Sequence, residues 1–285
     1  MTTSAAAKSA VDADTLFEVE LRLLLEALFL RYQVDFRRYA PSSLRRRVQH
    51  AMSQLRVDRL AVLQERVLRD PALFTRLLQY LTVQFSEMFR DPEHFLALRR
   101  QAVPDLLTYP SVKVWVAGCS DGEEVWSLAI LLREEGLLER TLIYATDISP
   151  QALRRAEAGI YGLDRAAAFS RNYAAAGGRA SLAEYFSEGY GGIVFDRSLR
   201  RHMVFADHSL ATDAVFSEVH MVSCRNVLIY FDGALQDRAV GLFGDALVRR
   251  GYLGLGNRET LQFGAHAAAF EPVDSSPAVR LYRKR

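Results

Sequence analysis

Cysteine is nearly absent: Cys119 and Cys224 are the two in 285 residues. Two cannot make a disulfide framework, and both read as reduced thiols of a cytosolic protein. No apolar run approaches the length that spans a bilayer, so no membrane insertion is expected. The start lacks the basic-then-apolar pattern of a signal peptide. Neither sign of charge dominates. Thirty-six Lys and Arg stand against 34 Asp and Glu, a formal net charge of +2, so no global attraction to nucleic acid follows. No internal repeat is visible, and no metal site is expected. What remains is ordinary for a globular chain, with 50% hydrophobic and 25% charged residues. The length fits one large or two smaller domains.

The most informative stretch runs from Val112 to Ile148. An apolar run, Val112-Lys113-Val114-Trp115-Val116-Ala117, leads into Gly118-Cys119-Ser120-Asp121-Gly122-Glu123-Glu124, then an apolar helix from Val125 to about Leu132. A second run, Leu142 to Thr146, ends in Asp147. Strand, glycine turn, helix, strand and acidic tip make one nucleotide-binding βαβ unit. A glycine such as Gly118 lets the backbone approach a ligand where a Cβ would collide. An acidic residue in the place of Asp147 can accept hydrogen bonds from a ribose diol.

The turn lacks the third glycine of the dinucleotide fingerprint. Glu123 and Glu124 at the helix start suit the helix dipole but would repel a phosphate there. A ligand with a ribose, a positive centre and no phosphate fits better, and S-adenosylmethionine is such a ligand. The competing reading is an ordinary βα turn with Glu in its first helical turn.

Along the chain, residues 1–15 read as a disordered leader and 16–80 as a small all-helical domain. Phe17, Leu21, Leu24, Leu25, Leu28 and Phe29 recur at helical spacing. Ser42 or Ser43 can cap the next helix, which carries Arg45, Arg46, Arg47, Arg56 and Arg59. Asp70-Pro71 opens another helix. The arginine run Arg45-Arg46-Arg47 is either a solvated face or a docking patch for an acidic protein partner. Residues 81–95 form a junction that mixes polar and aromatic side chains, unusual for a plain linker, and the resemblance given below implies that it contributes to the active site. There Arg90 is either a snorkelling surface residue or a cation held in a cleft. Residues 96–285 alternate strands with helices, which implies a mostly parallel sheet. A partly helical insertion at about 162–200 ends in a small β element. The helix that starts at Gly233 is expected to run to about Arg249, with a strand over 251–256 and a late antiparallel pairing at the end. The fold class is α/β: a Rossmann-like, mostly parallel sheet, an N-terminal all-helical domain and a small inserted β subdomain. Ligands of such sheets sit beyond the carboxyl ends of the strands, which puts Gly118, Asp147, Ser209 and Arg225-Asn226 on one rim.

Several local patterns coincide. They are Phe85-Ser86-Glu87-Met88-Phe89-Arg90-Asp91-Pro92, Ala117 to Glu124, Ala145-Thr146-Asp147-Ile148-Ser149, and Cys224-Arg225-Asn226-Val227-Leu228-Ile229-Tyr230-Phe231-Asp232. With Arg155 to Tyr161 and the closing Leu281-Tyr282-Arg283-Lys284, they resemble the CheR-type chemotaxis receptor methyltransferases. The likeness covers nearly everything after about Leu16. It implies methyl transfer from S-adenosylmethionine to glutamate side chains on the cytoplasmic coiled coil of a chemoreceptor, by a cytoplasmic, monomeric enzyme. It also implies roles by position. Gln84, Ser86 and Arg90 approach the methionine end and the methyl group. Glu124 holds the ammonium and Asp147 the ribose. Ser209 and Leu210 flank the adenine. Arg225 and Asn226 line the pocket floor, and Tyr230 lies near the transferred methyl.

The chain departs from the family pattern at several positions. Gln84 and Ser86 stand where Asn and Thr are usual, and Met88-Phe89 replaces a Phe pair. Val125-Trp126 follows the acidic turn, and Ser209 takes a common Asn position. Gly256-Asn257-Arg258-Glu259 replaces a Gly-His-Ser-Glu run. These departures keep two alternatives in view: a regulatory module that binds the cofactor without efficient turnover, and a methyltransferase for a chemosensory target outside the flagellar pathway. A nicotinamide oxidoreductase is disfavoured by the acidic turn and the missing glycine.

Overall fold

The computed structural model describes residues 13–82, 86–261, 264–274, 276 and 278–285. It divides into two compact units, 1–81 and 82–285. The expected leader lies outside the described residues except at its end, where helix is already present.

The first unit is four helices: α1 (Ala13–Tyr32), α2 (Pro41–Leu55), α3 (Leu60–Arg69) and α4 (Pro71–Leu81). Their cores are the residues that recur at helical spacing. Leu24, Leu28, Val48, Leu63, Val67 and Leu77 are fully buried. Each such side chain removes roughly 1.5–3 kcal/mol of apolar surface from water. Asp70 caps α4, its Oδ1 accepting from the Ala72 N–H at 2.9 Å. At α2 the expected serine cap is corrected. Ala40 is the cap residue and Pro41 takes the first turn. Proline needs no N–H there and its fixed φ suits the helix, so Ser42 and Ser43 fall inside it. Arg56 is not in α2 either. It closes that helix in the left-handed region at φ 53°, and Arg59 precedes α3.

The second unit opens with α5 (Pro92–Ala97), a π-helical turn Leu98–Ala102, and α6 (Val103–Leu106). Then follow β1 (Val112–Ala117), α7 (Glu123–Glu134), β2 (Thr141–Asp147) and α8 (Pro150–Ala158). The inserted region holds β3 (Ile160–Gly162), α9 (Ala166–Ala175), β4 (Phe186–Gly189), β5 (Gly192–Phe195) and α10 (Arg197–Arg200). The chain ends with β6 (Met203–Asp207), β7 (Val219–Cys224), α11 (Gly233–Ala246), β8 (Leu247–Leu255), β9 (Phe270–Pro272) and β10 (Leu281–Lys284).

The main sheet has the order β6-β2-β1-β7-β8-β10-β9. β6, β2, β1, β7 and β8 are parallel to their neighbours, and β10 and β9 add antiparallel. The late antiparallel pairing is therefore as expected. A second sheet, β3-β5-β4, belongs to the insertion. Its first strand is the Ile160–Gly162 stretch.

α7 is buried along Val125–Leu132, which accounts for its unbroken apolar run. Trp126 anchors it, donating from Nε1 to Ala156 O at 2.9 Å and stacking on Phe195. Trp115 of β1 lies against Phe216, Phe243 and His208 and donates to Thr146 Oγ1 at 2.8 Å. The helix expected to reach Arg249 stops at Ala246, because β8 begins at Leu247. Its Leu247 pairs with Val219, and the register then shifts before Met221 meets Tyr252.

Candidate active site

β1, β2, β6 and β7 end on one rim. In the β1–α7 turn, Gly118 sits at φ 72° and Gly122 at φ 92°, both in the left-handed region. A Cβ on Gly118 would come within 2.6 Å of Val227, and one on Gly122 within 2.7 Å of Ala156. The turn thus packs against the loop after β7 on one side and α8 on the other. The glycines serve protein packing here as well as any ligand.

Asp147 closes β2 and is 8% exposed. Its Oδ2 accepts from the Ser120 N–H and its Oδ1 from the Ser149 N–H, each at 2.9 Å. Burial pushes its carboxyl above the usual carboxylate range, with the two amides opposing. Each oxygen keeps acceptor capacity beyond those amides. The three carboxylates of the turn and helix start are matched by arginines. Asp121 takes Arg155 at 2.8 Å, Glu123 takes Arg165 at 2.7 Å and Glu124 takes Arg225 at 3.1 Å. Among the described residues, Asp147 has no such basic partner.

Glu124 also accepts from Ser223 Oγ. Arg225, only 1% exposed in its side chain, reaches Asp91 Oδ2 at 2.9 Å and the Arg90 carbonyl at 2.8 Å. The Phe95 ring lies 5.6 Å from its guanidinium carbon. One buried cation therefore joins the helix-start carboxylate to the junction that carries Arg90. Beside it, His94 is fully buried. Burial first, then the Arg225 charge, lowers the pKa of its imidazole.

Asn226 is left-handed at φ 61°. Its N–H donates to Glu259 Oε2 at 2.9 Å, and that oxygen also takes the Gly256 N–H at 2.6 Å. The other oxygen of Glu259 takes the Ile229 N–H at 3.3 Å. Glu259 is buried, and burial raises its pKa. It ties the loop that carries Asn226 and Tyr230 to the loop after β8.

Of the candidate residues, Ser86, Arg90, Gly118, Glu124, Asp147, Arg225 and Asn226 belong to this rim or its bonded frame. Tyr230 follows on a short 3₁₀ turn, Leu228–Tyr230. Ser209 and Leu210 follow β6, whose Asp207 pairs with Asp147 across the strands. Leu210 is buried, and the Ser209 N–H donates to Asp213 Oδ2 at 2.9 Å. Gln84 lies outside the described residues. The three arginines of α2 do not form one surface patch. Arg47 turns inward and donates to Leu81 O at 2.6 Å. Arg45 is held by Asp14 and Glu18. Arg46 is the exposed member.

Sequence reasoning missed Ser223, Asp91 and the structural weight of Glu259. Glu259 carried a signal, since it ends the run that departs from the family pattern. The pairings of Ser223 and Asp91 span about a hundred residues or more and leave no local trace.

Residues 84–279 match the family described as CheR methyltransferase, SAM binding domain, and residues 19–82 match its all-alpha domain. The chain belongs to the CheR methyltransferase family. It is 56% identical over 267 residues to the Pseudomonas putida protein Cher3, a match covering 94% of this chain and 97% of that one. A protein of Listeria innocua named chemotaxis protein methyltransferase is 27% identical, over 80% of this chain and 85% of its own. One of the same name from Vibrio parahaemolyticus is 28% identical, over 70% and 72%. The cofactor of this domain is S-adenosylmethionine, and the rim fits it. A carboxylate at a strand end without a basic partner suits a ribose diol. No helix among the described residues is long and apolar enough to cross a membrane.

Proposed function

We propose that this chain methylates glutamate side chains on the cytoplasmic coiled coil of a chemoreceptor. The observation that carries the reading is the contact chain Glu124–Arg225–Asp91, which links the carboxylate assigned to the cofactor's ammonium with the Arg90 carbonyl and the Asp91 side chain next to it. The printed names of the Listeria and Vibrio relatives support it. When bound, S-adenosylmethionine supplies a methyl on a cationic sulfur for transfer to an acceptor carboxylate oxygen, leaving neutral S-adenosylhomocysteine.

Asp147 would accept from the ribose hydroxyls, Gln84, Ser86 and Glu124 would hold the methionine end, and Arg225 and Asn226 would line the pocket floor. Ser209 and Leu210 flank the adenine. An acceptor glutamate is already ionised at neutral pH, so the site needs no general base. Arg90 orients that carboxylate with paired hydrogen bonds, and Tyr230 borders the reacting oxygen. Charge is lost on the way to products, so a dry site and close positioning favour the step. Asn257, one of the departures from the family pattern, donates to Asp91 Oδ1 at 3.2 Å. It thereby joins the frame of the site, which favours turnover over a silent binding module.

The test is transfer of labelled methyl to receptor-enriched membranes, with release of volatile methanol by mild base. Base-labile label is expected with wild type and at least ~10-fold less with Arg90→Ala. Label that resists base would exclude glutamate esters as the product.

A further inference from the structure

The two neighbours of Arg90 both lie in the left-handed region, Phe89 at φ 50° and Asp91 at φ 54°. That conformation is costly for an aromatic residue, and it persists only where the surroundings over-determine it. Here they do. The Phe89 side chain is fully buried, between Phe95 and Tyr173. Its N–H donates to Ser127 Oγ at 2.8 Å, and that hydroxyl donates onward to Glu123 O at 2.7 Å. From the insertion, Asn172 Nδ2 donates to Met88 O at 3.0 Å, and Arg165 donates to Ser86 O. From the far side, Arg225 donates to Arg90 O and Asp91 Oδ2. These bonds arrive from α7, α9 and the end of β7. They grip the backbone around residue 90 rather than its side chain.

We propose that Asn172 of the inserted α9 and Ser127 of α7 are positioning residues for Arg90. They hold the 88–89 peptide in a strained shape that aims residue 90, so the insertion takes part in building the active site. The inference rests on the reading that Arg90 meets the acceptor carboxylate. A carbonyl or an N–H that loses its buried partner favours relaxation of the segment, since an unmade hydrogen bond is expensive there. A small displacement of an orienting group lowers turnover while leaving cofactor affinity alone.

The experiment is a double-mutant cycle on the full chain. It compares wild type, Asn172→Ala, Arg90→Ala and the double variant, assayed with tritiated S-adenosylmethionine and receptor-enriched membranes. Calorimetry with S-adenosylhomocysteine runs in parallel. Asn172→Ala should lower kcat by roughly 10-fold, with acceptor KM and S-adenosylhomocysteine affinity within about 2-fold of wild type. The double variant should be no slower than Arg90→Ala, because both changes remove the same function. An Asn172→Ala penalty that persists undiminished in the Arg90→Ala background overturns the inference.

If Arg90→Ala keeps full turnover, the functional reading itself fails, and hydrogen exchange then decides the positioning claim. The Phe89 amide should exchange about 10-fold faster in Asn172→Ala; unchanged exchange overturns the claim. Ser127→Ala, at the other anchor, provides the same comparison should Asn172→Ala not fold.

Discussion

At Asp147 two requirements oppose each other. The carboxylate must be ionised to accept from two hydroxyls, yet its burial favours the protonated form. Its folded-state pKa is raised, so by linkage its stabilising contribution is present below the unfolded pKa and lost as pH rises through the folded one. At neutral pH the free protein therefore carries Asp147 at a cost that hydrogen bonds from a ligand offset. Affinity for S-adenosylhomocysteine should fall on acidification, beginning at a higher pH than an ordinary aspartate near 3.9 would dictate. Calorimetric titration from neutral to about pH 5 measures this. Asp147→Asn should weaken binding by roughly 100-fold, about 2.7 kcal/mol, consistent with two charge-assisted hydrogen bonds, and should flatten the pH profile. Intact affinity in that variant would remove the ribose assignment. The place of Asp147 at a strand end was legible because an apolar run stops there at an acidic residue. The bond of Ser223 to Glu124 and that of Glu259 to Asn226 were not, since these partners come from distant chain segments that only the folded sheet brings together.

Among the elements, the α7–α8 contact shows how turn chemistry and packing combine. Gly159 closes α8 at φ 61°, and a Cβ there would sit 2.3 Å from the Trp126 ring. Gly136, after α7, has φ 70° and nothing within 4 Å. Gly136→Ala should cost only the left-handed penalty, about 1–2 kcal/mol. Gly159→Ala should cost that plus the displacement of a buried indole, about 3–5 kcal/mol in total. Urea unfolding of the two variants gives the comparison, and equal losses would show that the Trp126 contact yields without strain. The same physics separates what could be read in advance from what could not. Long periodic helices and apolar strands were legible because burial repeats along them. The end of α11 was not, because Ala246 and Leu247 are both buried and apolar, and pairing with Val219 alone decides where helix becomes strand. β3 was invisible for a similar reason. Its three residues have no periodicity, and they are strand only because β5 lies alongside.

For the molecule as a whole, near-neutral charge conceals strong local pairing, since Asp121, Glu123 and Glu124 at the rim each have a matched arginine. The proposed roles also divide between the two units. All described residues assigned to the cofactor lie in the unit that begins at Thr82, whereas the exposed Arg46 lies in the other. A fragment spanning residues 82–285 should therefore bind S-adenosylhomocysteine within about 3-fold of the full chain, because every assigned cofactor contact travels with it. Methylation of receptor membranes by that fragment should fall further. In the full chain, Arg46→Glu should raise the acceptor KM by roughly 3–10-fold at low salt and less at high salt, as expected for an exposed charge that steers an acidic partner. Cofactor affinity should not change. An Arg46→Glu variant with unaltered acceptor KM at low salt would end the docking role of α2. A fragment that loses cofactor affinity by more than about 30-fold would show that the helical unit completes the cofactor site as well as serving the acceptor.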